Sequence, residues 1–210
     1  MGSFEEPTAS RRSLHRVLGK INTSVRRAFR DVCPLPLDVF RGDGWQLLVT
    51  SPVSALRVAL HVRASLRVEM DSRRADTRVA IGIGSIDFLP GEEVSKGDGE
   101  AYRLSGAALD ELPRQARLTV RGGSSAREHE LLDALLASVD ALSRRWTASQ
   151  SQAILGALGG KTQETIAASW KPEEITQQAV AQHLDRASWF SVERALRAFE
   201  ATVKDADNKR

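Results

Sequence analysis

With 210 residues, 41% hydrophobic and 27% charged, the chain can bury a sizeable core in one large domain or two smaller ones, and it is too apolar to be disordered throughout. A formal net charge of +3 with a pI near 9.3 is compatible with a nucleotide or nucleic-acid partner but too small to define one. The single cysteine, Cys33, excludes an intrachain disulfide, and His15, His61, His129 and His183 are too widely spaced for a Cys/His zinc pattern.

Residues 1–10 carry Glu5 and Glu6 and no apolar run, so they are expected to be disordered or tag-like. No stretch reaches the apolar length of a membrane span, and a cytoplasmic protein without membrane association is expected. From Arg11 to Arg30, Leu14, Val17, Leu18, Ile21, Val25 and Phe29 recur at three- and four-residue spacing, which predicts an amphipathic helix with arginines on its solvated faces. Pro34 and Pro36 end it. Two apolar runs then flank Arg41-Gly42-Asp43-Gly44, which predicts a hairpin holding Asp43 at its tip. A carboxylate on such a hairpin can hold a divalent metal if a second one lies on a neighbouring strand; Gly-Asp-Gly is also an ordinary turn sequence.

Ser51-Pro52 predicts a helix start, with Ala55, Leu56, Ala59 and Leu60 on the apolar side to about Leu66. Thr77–Ile86 reads as a buried strand, its Gly82 and Gly84 placed where another backbone comes close. Lys96-Gly97-Asp98-Gly99 leads into a helix, and its backbone N–H groups together with Lys96 and Arg103 form a candidate nucleotide or anion site, unless Asp98 is simply a cap. Arg117–Arg121 is a short closing strand, and Ser125-Ala126-Arg127-Glu128 is a capping box opening a long helix. Beyond Arg145 only short helices are expected, capped by Thr147, Thr162 and Thr176, with a last one from Ser191 to about Val203. The helix after Thr176 buries Ala179, Val180 and Leu184 and exposes Gln177, Gln178, Gln182 and Arg186, side chains suited to adenine and guanine edges. A plain helical packing unit fits the same pattern, and Glu173, Glu174 and Asp185 oppose phosphate affinity.

Taken together, Arg41-Gly42-Asp43-Gly44-Trp45-Gln46, Arg78-Val79-Ala80-Ile81-Gly82-Ile83-Gly84 and Gly97-Asp98-Gly99-Glu100-Ala101-Tyr102 resemble the bacterial SatD family. Trp146-Thr147, Gln150, Gly160-Lys161-Thr162-Gln163, Ile166-Ala167 and Gln178-Ala179-Val180 are similar to the helix-turn-helix that ends many of its members. The resemblance implies an α+β chain: a ferredoxin-like, nucleotide cyclase-like palm over 11–122, a connecting helix over 123–145 and an all-α helix-turn-helix domain over 146–210. Members usually begin with an apolar strand ending in Gly-Asp, which holds the palm's first metal-site aspartate. Met1–Ala9 has no such aspartate, so a palm lacking its first strand is expected. The turn at Lys171-Pro172-Glu173-Glu174 is also about three residues longer than the compact form. The expected function is a DNA-binding transcriptional regulator whose degenerate palm senses a ligand or mediates homodimerisation. The alternative is a metal-dependent nucleotide cyclase or nucleotidyl transferase using Asp43; Mg2+ enters only with that alternative, and no other cofactor is identified.

Overall fold

The computed structural model describes residues 1–5, 11–40, 44–72, 74–89, 91 and 93–207. The chain is α+β. A five-stranded sheet is built from β1 (Gly2–Glu5), β2 (Asp38–Phe40), β3 (Gly44–Gln46), β4 (Asp76–Ile83) and β5 (Leu118–Gly122), in the order β2-β3-β1-β4-β5. All neighbours are antiparallel except β4 and β5, which are parallel. A parallel pair needs a crossover, and α3 (Glu100–Glu111) supplies it.

The absent first strand is an expectation the structure corrects. Gly2–Glu5 lies between β3 and β4, with Gly2 opposite both Trp45 and Val79. Gly-Ser-Phe-Glu has little strand propensity of its own; two flanking edges with open backbone groups impose the extended form. The hairpin has its two strands, with Val39 opposite Trp45, while Asp43, expected at its tip, lies outside the described residues.

One face of the sheet is covered by α1 (Arg11–Ala28), α2 (Ala55–Met70) and α4 (Ala126–Ser143). Val17, Leu18, Ile21 and Val25 form the buried stripe of α1, which meets Leu56 and Leu60 of α2 and Val79 and Ile81 of β4 in one core. Each such side chain contributes roughly 1.5–3 kcal/mol by leaving water. On the other face, Ala108, Leu109 and Leu112 pack against Ala80. Gly82 is required here, because a Cβ would lie 2.1 Å from the carbonyl oxygen of Ala101 on α3.

Helix α2 begins after a short 3-10 turn over Pro52–Ser54, later than Ser51-Pro52 implies, and Ser51 makes no side-chain cap. It is buried from Ala55 to Leu66 at nearly every position, since it has the sheet on one side and α5 (Ala148–Leu158) on the other. The core does not break at α4. It continues through Ile154 of α5, Ile166 of α6 (Gln163–Ala168), Val180 of α7 (Gln177–Arg186) and Leu196 and Phe199 of α8 (Trp189–Asp207). Arg57 of α2 also pairs with Glu200 of α8 at 2.7 Å. The C-terminal helices are therefore packed on the first half of the chain.

Candidate functional site

Helix α7 owes its position to local chemistry. The Oγ1 of Thr176 accepts from the Ala179 N–H at 3.2 Å, and Thr162 caps α6 in the same way through Thr165. Gly156 lets α5 approach α6, since a Cβ there would meet Ile166 Cγ1 at 2.4 Å. Val180 and Leu184 anchor α7 inward, and Trp146 fixes its C-terminal end by donating from Nε1 to the Ala187 carbonyl at 2.9 Å. Thr176, Gln177, Gln178, Gln182 and Arg186 are all exposed. The spacing of Gln178, Gln182 and Arg186 is i, i+4, i+8, so they share one face. His183 stacks on Trp170 with centroids 5.3 Å apart, and burial, then the charge of Arg186, lowers its pKa. The loop over 169–176 between α6 and α7 exposes Lys171, Glu173 and Glu174.

The glycine-rich start of α3 is differently committed. Lys96 donates to Glu93 at 2.7 Å. Arg103 lies between Asp98 at 2.9 Å and Asp87 at 3.4 Å, and Asp98 also accepts from the Gly99 N–H at 2.7 Å. Gly99 is the N-cap of α3, without a side-chain cap bond, so Asp98 does not cap the helix backbone. Gly97 backs onto Tyr102: a Cβ would be 2.2 Å from its hydroxyl. The five residues proposed for an anion do come together, with both cations already neutralised by carboxylates. Asp43, the proposed metal ligand, lies outside the described residues. Among the described residues no three His, Cys, Asp or Glu side chains stand together as a metal site.

Sequence reasoning missed a buried charge network. Arg63 and Arg67 of α2 are 0% exposed. Arg63 makes a bidentate pair with Asp76 at 3.0 and 2.9 Å, and its Nη1 lies 2.9 Å from Asp140 Oδ1 and 2.8 Å from Ser143 Oγ. Arg67 donates to Asp76 at 2.6 Å, and Asp140 accepts from the Arg117 N–H at 2.8 Å. Two cations and two anions thus tie α2, β4 and α4 together, with Arg117 just ahead of β5 joined through its backbone N–H. Burial alone would raise the Asp76 pKa, but Arg63 and Arg67 overcome it and hold the carboxyl below its usual range. Arg67 has two nitrogens without acceptors, so for it burial wins and lowers the pKa to about 10, still cationic at neutral pH. The available signal was two arginines at i, i+4 among the apolar residues Leu60, Val62, Ala64 and Leu66 of one helix.

Searched against family models, curated proteins and solved structures, the chain gives no significant match. Among the described residues no helix is long and apolar enough to cross a membrane.

Proposed function

We propose that the chain is a DNA-binding transcriptional regulator, with α6 and α7 as its helix-turn-helix and the sheet with its helices as a degenerate cyclase-like palm of the SatD type. The observation that carries this reading is the division of α7. Val180 and Leu184 are buried, whereas Gln178, Gln182 and Arg186 face solvent. Glutamine can bond the N6 and N7 of adenine together, and arginine the O6 and N7 of guanine, so this row matches a major-groove edge. Exposed Lys161 and Lys171 flank the two helices and suit phosphate contacts, while Glu173, Glu174 and Asp185 keep non-specific affinity low.

The strand order β2-β3-β1-β4 with antiparallel neighbours supports a ferredoxin-like palm, extended by β5. Its role in this reading is dimerisation or ligand sensing, a homodimer placing two α7 helices on successive turns of DNA about 34 Å apart. Strand β1 carries no aspartate, and no observation among the described residues favours metal-dependent nucleotidyl transfer with Asp43.

Selection of bound duplexes from a random-sequence library, followed by anisotropy titration across a salt series, tests the proposal. An enriched motif bound at least a hundredfold more tightly than random DNA supports it. Recovery of no motif, with equal affinity for all duplexes, would reject it.

A further inference from the structure

Helix α1 concentrates the charge of the chain. Its 18 residues hold five arginines, one lysine and no carboxylate, a formal +6 against +3 for the whole protein. The residues outside α1 are therefore net acidic. The unit over 146–210 carries eight lysines and arginines and eight aspartates and glutamates, so α7 stands on a neutral support. With α7 as a reader of bases, the sequence-independent attraction to phosphate has its source elsewhere in the chain.

The basic side chains of α1 share one face. Val17, Leu18, Ile21 and Val25 turn into the core. Arg16, Lys20, Thr23 and Arg27, at i, i+4, i+7 and i+11, form an exposed row on the opposite side, about 16 Å long at ~1.5 Å per residue. Arg26 and, in the turn after the helix, Arg30 flank the row and are exposed as well. Lys20 is held by Glu69 at 2.6 Å. Among the described residues no carboxylate pairs with Arg16, Arg26, Arg27 or Arg30, although Asp31 adjoins the last in sequence. Like charges one turn apart repel, and a polyanion laid on this face removes that cost.

The make-up of the face narrows the polyanion. Among the described residues the exposed large apolar side chains are Ile86, Phe88, Leu131 and Phe190, all outside α1, so the helix has nothing there to insert into a lipid surface. It contains no Phe, Tyr or Trp on which an unpaired base could stack. Arginine outnumbers lysine five to one, and its guanidinium fork matches phosphate oxygens.

We propose that the face of α1 carrying Arg16, Arg26, Arg27 and Arg30 holds the phosphate backbone of duplex DNA, a sequence-independent contact separate from base reading by α7. The choice of DNA rests on that reading of α7; the phosphate contact rests on α1 itself.

The test is anisotropy titration of the full chain with a random-sequence duplex from about 50 to about 200 mM salt. Replacing Arg16, Arg26, Arg27 and Arg30 together by glutamine should make the log–log salt slope shallower by about 3 and weaken binding at the lowest salt at least tenfold. Arg16→Gln and Arg27→Gln made singly should each take about 0.9 off the slope, and lysine at all four positions should restore it. Removing equal charge elsewhere, with Arg114→Gln, Arg127→Gln, Arg145→Gln and Arg194→Gln in one chain, should leave the wild-type slope. Against a selected duplex the α1 variant should lose affinity for selected and random DNA alike, with its preference unchanged. If the α7 reading fails, preference is absent from every protein while the dependence on the α1 arginines persists. Equal slopes for wild type and the α1 variants, or an equal loss in the variant altered elsewhere, would overturn the proposal. So would binding of phosphatidylserine vesicles or single strands through these arginines without binding of duplex.

Discussion

Arg63 and Arg67 on α2 and Gln178, Gln182 and Arg186 on α7 are polar side chains on helices of one continuous core, yet their surroundings are opposite. The first pair is sealed inside and committed to Asp76 and Asp140. The second group faces water from a helix whose other side is buried. Removing a partner from a buried ion network strands a charge, whereas trimming a solvated side chain strands nothing. Stability should therefore reside in the α2 network, and the proposed DNA recognition on α7.

The sharpest way to break that contrast is Asp76→Ala. It leaves Arg63 and Arg67 buried without their shared carboxylate, and a loss of about 3–5 kcal/mol in urea unfolding is expected. A loss under about 1 kcal/mol would show that the network does not hold the fold.

A second buried polar group sharpens it by pH. His61 on α2 is held by Ser24 Oγ at 2.8 Å and by the edge of the Phe29 ring, and burial lowers its pKa from 6.5 to about 4. The unfolded chain binds this proton more readily than the folded one. The contribution of His61 is thus complete above pH 6.5 and lost as pH falls toward 4. Asp76, also lowered, adds a loss with the same sign at still lower pH. The His61 part amounts to at most about 3 kcal/mol, and His61→Gln should flatten unfolding profiles across that window.

Gly82→Ala tests the close approach of α3 to β4. The added methyl collides with the backbone of Ala101, and a loss of about 1–3 kcal/mol is expected by thermal unfolding. The smallest effect on stability belongs to Gln178→Ala with Arg186→Ala, where a change within about 0.5 kcal/mol is expected in the same assay.

How much of this was legible in the sequence follows from the range of each interaction. Thr147, Thr162 and Thr176 cap their helices as read, because an oxygen accepting from an N–H three residues on is fixed by local sequence. Ser125 accepts from Glu128 N–H as read, although the Glu128 carboxylate bonds Ser124 and does not complete a capping box. The inward Val180 and Leu184 of α7 followed from helical period. Strand β1 was illegible because its extended form comes from β3 and β4, which close around it only in the fold. The partners of Arg63 were hidden for the same reason: Asp140 and Ser143 lie far along the chain, and local sequence does not name them. At the α3 loop, Lys96 and Arg103 were readable as cations, but their pairing with Glu93, Asp98 and Asp87 was not.

In the proposed function α7 recognises DNA through side chains the fold does not need. Its most direct test is the affinity of wild type and the Gln178→Ala, Arg186→Ala double variant for a selected duplex at fixed salt. With both proteins equally stable, the double variant should bind at least tenfold more weakly and lose preference for the selected sequence over random DNA. Equal affinity and equal preference for the two proteins would contradict the account.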